Sequence, residues 1–246
     1  MSRFIQFHAL TPYPLSNPNR DDTGRPKSAN YGGVPRLRIS SQALKRAIRF
    51  SPVVRRELEG QLGDRTQRIG KIIADTLNAR DVDSDRKREI AEAVTEVFGK
   101  LDTGEPKKNK SKGKNGDEQW DPEKTRTRQL AFVSPEERAK AIELTRRALE
   151  GEKLPSKVEL QKMILQTADG AADVAMFGRM LADAPEYNRE AAVQLAHAFT
   201  THRVLIENDY YTAVDDLKKP EDNTGAGFIG ETGFGSGVFY HYGCID

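Results

Sequence analysis

The sequence predicts an α+β protein, on three observations. Strand-forming runs stand near both ends of the 246-residue chain. A long middle stretch carries helical periodicity instead. The strand-rich end regions and the helix-rich middle are segregated rather than alternating, which is the pattern of α+β rather than α/β chains. No internal repeat of about 20–50 residues is visible.

Residues 3–10, Arg-Phe-Ile-Gln-Phe-His-Ala-Leu, read as a strand, because Phe and Ile favour the pleated state and no Gly or Pro interrupts them. Residues 11–35 read as loop, broken by Pro12, Pro14, Pro18, Pro26 and Pro35. Residues 36–39, Arg-Leu-Arg-Ile, alternate with period two, Leu37 and Ile39 facing one way and Arg36 and Arg38 the other. A helix follows, capped by Ser40 or Ser41, with Ala43, Leu44, Ala47 and Ile48 as its apolar stripe. Residues 53–101 look helical with mixed charges. Residues 104–124, with five lysines from Lys107 to Lys114 among Gly, Asn and Ser, read as an unfolded loop.

Ser134-Pro135-Glu136-Glu137 is a helix start, with a cap, a proline in the first turn and an acid at the third position. Helices are predicted over 135–150, 156–168 and 171–182. Another is predicted over about 186–200, carrying Ala191, Leu195, Ala198 and Phe199. Residues 203–216 read as strand and turn. The Gly-rich segment 224–246 holds a strand-like Gly-Val-Phe-Tyr-His-Tyr from Gly237.

Composition narrows the class. No run approaches the ~20 apolar residues that span a bilayer, and Met1-Ser2-Arg3-Phe4 leads into the first strand without an apolar leader. The single cysteine, Cys244, excludes an intrachain disulfide framework and a Cys-based zinc site. The expectation is a soluble cytoplasmic protein of one elaborated domain or two small ones. Net charge is only +2, yet residues 20–50 hold eight cations (Arg20, Arg25, Lys27, Arg36, Arg38, Lys45, Arg46, Arg49) against Asp21 and Asp22. Such a segment on a near-neutral chain suggests a focused anion site. Gln42, Lys45, Arg46 and Arg49 share one helix face that bears no acid. Lys45 and Arg49 form a like pair at i,i+4, which repels in isolation. A polyanion would compensate both, and nucleic acid is the expected partner.

Other motifs carry less. Gly225-Ala-Gly227-Phe-Ile-Gly230 matches the letters of a dinucleotide loop, but no helix opens after it, so it reads as a flexible loop. Thr232-Gly-Phe-Gly-Ser236-Gly-Val-Phe-Tyr is a weak match to an RNA-stacking strand. His8, His197, His202 and His241 show no metal-ligand spacing, and His197 reads as a packing residue on its helix. Asp21-Asp22 could hold Mg²⁺, but Asn19-Arg20-Asp21-Asp22 reads more simply as turn chemistry. Neither a cofactor nor a metal site is expected.

Residues 3–50 closely resemble the backbone subunit of the type I-E CRISPR surveillance complex, Cascade: the CasC family. The residues that carry this are Phe4-Ile-Gln-Phe-His8, Asn19-Arg-Asp-Asp22, Gly32-Gly33 and, above all, Arg38-Ile-Ser-Ser-Gln-Ala-Leu-Lys-Arg-Ala47. The likeness resumes at Asp173-Val-Ala-Met-Phe-Gly-Arg-Met-Leu-Ala182, Ala192-Val-Gln-Leu-Ala-His-Ala198, Thr201-His-Arg203, Tyr211-Thr-Ala-Val-Asp-Asp-Leu217 and Ser236-Gly-Val-Phe-Tyr240.

The resemblance implies an RRM-like (ferredoxin-like) palm over 1–55 and 185–246. It implies a helical finger insertion over 56–184 and a β-hairpin thumb at about 200–224. Family members run on for roughly a third more chain, so a C-terminally incomplete palm is expected. The implied function is non-catalytic: copies polymerise along a guide RNA (crRNA), beside other Cascade subunits, and present its bases to target DNA in antiviral defence. Backbone binding suits that role, since a subunit accepting any guide must contact phosphates and leave base edges alone. By position, Arg20, Lys27, Arg38, Ser40, Gln42, Lys45, Arg46 and Arg49 form the RNA face, with Met176 as an apolar wedge. Arg203, Leu205, Tyr210, Tyr211 and Val214 would form the thumb and its contact with the next copy. The dense apolar set Val204, Leu205, Ile206, Tyr210, Tyr211 and Val214 is expected to pack between copies. Two alternatives stand beside this reading: a type III-like subunit that cleaves target RNA through Asp21 or Asp22, and a purely structural subunit whose basic helix docks an acidic protein.

Overall fold

The computed structural model describes residues 3–77, 83–102, 125–165, 170–213 and 228–246. The fold is α+β. Its order is β1 (Ile5–Ser16), β2 (Ser28–Tyr31), β3 (Val34–Ile39), α1 (Ser41–Phe50), α2 (Pro52–Glu57), β4 (Asp64–Thr66), α3 (Ile69–Leu77) and α4 (Ser84–Thr95). Then come β5 (Ala131–Val133), α5 (Pro135–Leu149), α6 (Lys157–Leu165), α7 (Ala172–Phe177), β6 (Val193–Leu195), β7 (Ala198–Thr200), β8 (Glu207–Ala213) and β9 (Phe228–Ile245).

The chain divides into two units, Met1–Ser51 with Val193–Asp246, and Pro52–Ala192. In the first, a sheet of seven strands runs β1-β9-β7-β3-β2, with β6 and β8 also paired to β9. Among the described residues, the strand pairings in it are antiparallel. One face carries the core of Leu37, Ile39, Ala198 and Phe239, against which Ala43 and Leu44 of α1 pack with Tyr13, Val204 and Ile206. The period-two reading of 36–39 therefore holds, with Leu37 and Ile39 buried. Gly32 and Gly33 both have positive φ, the backbone a two-residue β2–β3 hairpin turn demands.

In the second unit, α3, α4, α5 and α6 enclose Ile69, Ile73, Leu77, Ile90, Val94, Leu144 and Ile164, and β4 pairs with β5. Ser134 and Glu137 form a reciprocal capping box at the start of α5. Within this unit Arg179 and Glu137 make an ion pair whose side chains are both 0 % exposed.

Several expectations are corrected. Residues 11–35 are not all loop: β1 continues to Ser16 through Pro12 and Pro14, and β2 follows. An edge strand tolerates prolines because alternate N–H groups there point away from the sheet. Residues 53–101 are interrupted by β4. The helix expected over 171–182 stops at Phe177, where Gly178 adopts φ 77°. Residues 193–200 form strands β6 and β7, not a helix, because their backbone pairs with β9 and β3. The 104–124 run lies outside the described residues.

The strand-like run from Gly237 is part of a strand that begins at Phe228, so positions 228–230 of the expected flexible loop are strand, while 225–227 lie outside the described residues. The strand's glycines make room for neighbours: a Cβ on Gly235 would lie 2.6 Å from Leu37 Cδ1, and one on Gly237 2.9 Å from Thr200 Cγ2. A Cβ on Gly230 would run into the Tyr211 ring, which lies across it.

Candidate nucleic-acid interface

The site starts from one turn. Asp21 Oδ1 accepts hydrogen bonds from the Thr23 hydroxyl at 2.8 Å and from the amides of Thr23 and Arg25 at 2.9 and 3.0 Å. The Thr23 hydroxyl chiefly, with the Arg25 and Thr23 amides and the Arg25 charge, holds the exposed Asp21 carboxyl below its ordinary value despite opposing desolvation. Asn17 Nδ2 donates to Gly24 O at 3.0 Å, and Arg20 bridges to Pro26. The 17–27 loop is thus internally tied, and it carries Arg20 exposed and Lys27 half-buried.

The same loop is fastened to the start of α1. Lys27 N–H donates to Asn19 O at 2.7 Å, Arg38 N–H to Lys27 O at 2.8 Å, and Ser40 N–H to Asn19 Oδ1 at 2.9 Å. Ser40 caps the helix, its hydroxyl accepting from Ala43 N–H at 3.2 Å. Ser41 N–H donates to Nδ1 of His197, which follows β6. His197 is thus a satisfied, half-buried residue set edge-on to Phe199, but it lies between β6 and β7 rather than on the expected helix. No local signal marks it, because its partner is far away in the sequence.

The first turn of α1 holds no acid. Gln42 and Arg46 are exposed, Lys45 and Arg49 half-buried. The Arg46 guanidinium lies 4.5 Å from the Phe50 ring centre and that of Arg49 5.7 Å. Phe50 therefore orients two of the cations, a role legible in retrospect from its i+4 spacing to Arg46. The structure brings Arg20, Lys27, Ser40, Gln42, Lys45, Arg46 and Arg49 into one linked set of loop and helix start. Arg38 departs from it: strand alternation puts it on the sheet face opposite Leu37, Ile39 and α1. Met176 lies half-buried in α7, in the second unit.

The hairpin is built from β8 and the first half of β9, Glu207 facing Phe234 and Ala213 facing Phe228. Its second arm lies beyond the 200–224 segment assigned from sequence. Arg203 is exposed, and Leu205 and Tyr210 are 65 % and 64 % exposed. Val204 and Ile206 instead pack on the sheet core, and Tyr211 covers Gly230, so the apolar set is not wholly available to a partner. Val214 lies outside the described residues. Arg25 Nη2 donates to Asn208 Oδ1 at 3.3 Å, linking the basic loop to the hairpin base.

Among the described residues, no helix is long and apolar enough to cross a membrane, and no group of three or more His, Cys, Asp or Glu could hold a metal. Fold and site together define an α+β protein that presents a cationic loop and helix start from one antiparallel sheet. Residues 5–246 match the family model described as CT1975-like protein. The chain belongs to the CT1975-like family.

Two solved structures are similar. One is a chain of a "CRISPR RNA-guided surveillance complex, pre-nicking", 33 % identical with a TM-score of 0.75, covering 99 % of this chain and 64 % of that one. The other, of a "CRISPR RNA-guided surveillance complex", is 28 % identical with a TM-score of 0.64, covering 99 % of this chain and 63 % of that one. This chain thus spans under two thirds of either one's length. No curated protein sequence matches it.

Proposed function

We propose that this chain is a non-catalytic, guide-RNA-binding backbone subunit of a type I-E Cascade complex in CRISPR defence. In this reading the sheet unit is the RRM-like palm, the helical unit the fingers and the β8–β9 hairpin the thumb. Copies line up along the guide beside other Cascade subunits, and the guide bases pair with target DNA. The observation that carries it is the acid-free cationic face of α1, whose start is bonded through Asn19 to the loop bearing Arg20 and Lys27. Similarity to chains of RNA-guided surveillance complexes supports the choice of polyanion. Arg20, Lys27, Lys45, Arg46 and Arg49 meet phosphates, Ser40 and Gln42 border them, and Met176 wedges against a displaced base. Backbone contact carries no sequence information, as a subunit serving any guide requires.

Replacing Lys45 and Arg49 with Ala tests this. Affinity for single-stranded RNA falls about equally for every sequence, and the log-affinity against log-salt slope flattens by roughly 0.7 per lost contact. A sequence-selective loss, or an unchanged slope, refutes phosphate contact.

A further inference from the structure

The sheet face opposite α1 carries a row of rings and cations that the guide-binding site does not use. Register sets Arg38 opposite Phe199, Phe199 opposite Tyr240, and Tyr240 opposite Leu10, so the row crosses β3, β7, β9 and β1. Phe199 stacks on Tyr31 with ring centres 5.4 Å apart and planes 16° apart. The Arg36 guanidinium lies 5.7 Å from the Tyr31 ring centre. At the other end His8 Nδ1 shares a 2.7 Å hydrogen bond with the Tyr240 hydroxyl, and its ring lies 5.1 Å from that of Tyr242. Tyr31 is 62 % exposed and Tyr240 41 %.

The chemistry selects the occupant. An ordinary solvated sheet face is mixed polar, whereas this one is aromatic. Its charged members are Arg36 and Arg38, and none of the positions named carries a carboxylate. Arg38 Nε is buried without a partner, a donor lacking an acceptor. Rings stack on nucleobases, and guanidinium groups stack on bases and pair with phosphate. We propose that this face is a second nucleic-acid surface, which takes unpaired bases of a single strand on Tyr31 and Tyr240, with Arg36 and Arg38 on its backbone. Because α1 packs on the other side of the sheet, this strand is a different segment from the one at Lys45 and Arg49. The proposal stands independently of the guide-binding reading.

Bases are the discriminating variable. The probes are a fluorescein-labelled single-stranded RNA of about 12 nucleotides and a ribose-phosphate oligomer of equal length without bases. Removing both rings, Tyr31→Ala with Tyr240→Ala, lowers affinity for the base-bearing strand by at least roughly thirtyfold. Affinity for the base-free oligomer stays unchanged, and Tyr31→Phe with Tyr240→Phe retains binding. The Lys45 and Arg49 substitutions weaken both probes alike, so failure of the guide-binding reading shows separately. Equal loss on both probes overturns the stacking proposal. So does unchanged RNA affinity in a variant that melts like the parent, including one that loses self-association, which would mark a protein-docking face. If the double Ala variant does not fold, Tyr31→Ala alone, at the hairpin turn, makes the same comparison between probes.

Discussion

Replacing Arg179 with Ala will cost the second unit a large part of its stability. The guanidinium donates to both Glu137 oxygens at 2.7 and 2.8 Å, to Tyr187 O at 3.1 Å and to Phe132 O at 3.3 Å. Truncation leaves a fully buried carboxylate whose other bond is from Ser134 N–H at 2.9 Å, and it strips a donor from two carbonyls. Breaking a buried pair from one side costs about 3–5 kcal/mol, set against a typical domain stability of about 5–15 kcal/mol. With an m-value of about 1–3 kcal/mol/M in urea, the midpoint falls by at least roughly 1 M. Far-UV circular dichroism reads it well, since the described helices lie mostly in Pro52–Ala192. Glu137→Gln costs a comparable amount: it leaves the buried guanidinium without a counter-charge, and its NH2 faces either the Ser134 N–H or an Arg179 N–H, donor against donor. A midpoint shift under ~0.3 M for Arg179→Ala, within the scatter of such extrapolations, refutes the account.

Three further outcomes are expected. Incubated with guide RNA, complementary RNA and Mg²⁺ or Mn²⁺, the protein leaves the target intact; cleavage abolished by Asp21→Ala would instead establish the type III-like reading. Replacing residues 207–213 with a short Gly-Ser turn leaves a folded protein that binds a short oligonucleotide but loses RNA-dependent oligomers, measured by light scattering; unfolding or normal assembly contradicts the thumb role. The depressed Asp21 pKa stabilises its turn above the unfolded value, and that contribution is lost as pH falls through the folded one. The Thr23 and Arg25 amide shifts therefore titrate with a midpoint below the ordinary aspartate value of about 3.9; a midpoint at or above it would show the turn to be open.

What the sequence disclosed depended on how local the physics was. The cap at Ser40, the alternation of Leu37 with Arg38 and the box at Ser134–Glu137 each involve residues within four positions, and each is present. Ala191, Leu195, Ala198 and Phe199 fit a helical spacing, yet Val193 and Leu195 also fit a strand. The choice belonged to β9, about fifty residues later. Gly230 misled for a related reason: what fills its space is the Tyr211 ring, which is not a sequence neighbour. In the site, the clustering of cations was visible, but the fasteners Asn19–Ser40 and His197–Ser41 were not, because each joins segments that only the folded sheet brings together.

The pairing of β1 with β9 has a kinetic side. Leu10 meets Tyr240, so on a ribosome adding about 5–20 residues per second the first strand waits roughly ten to fifty seconds for its partner. Throughout that interval Phe4, Ile5, Phe7 and Leu10 have no β9 to pair beside, while the chain of Pro52–Ala192 emerges with its own core. Folding in the order of synthesis therefore closes the middle of the chain before its beginning. The nascent first strand is then the natural place for a chaperone to bind, and the first point of failure when translation stalls.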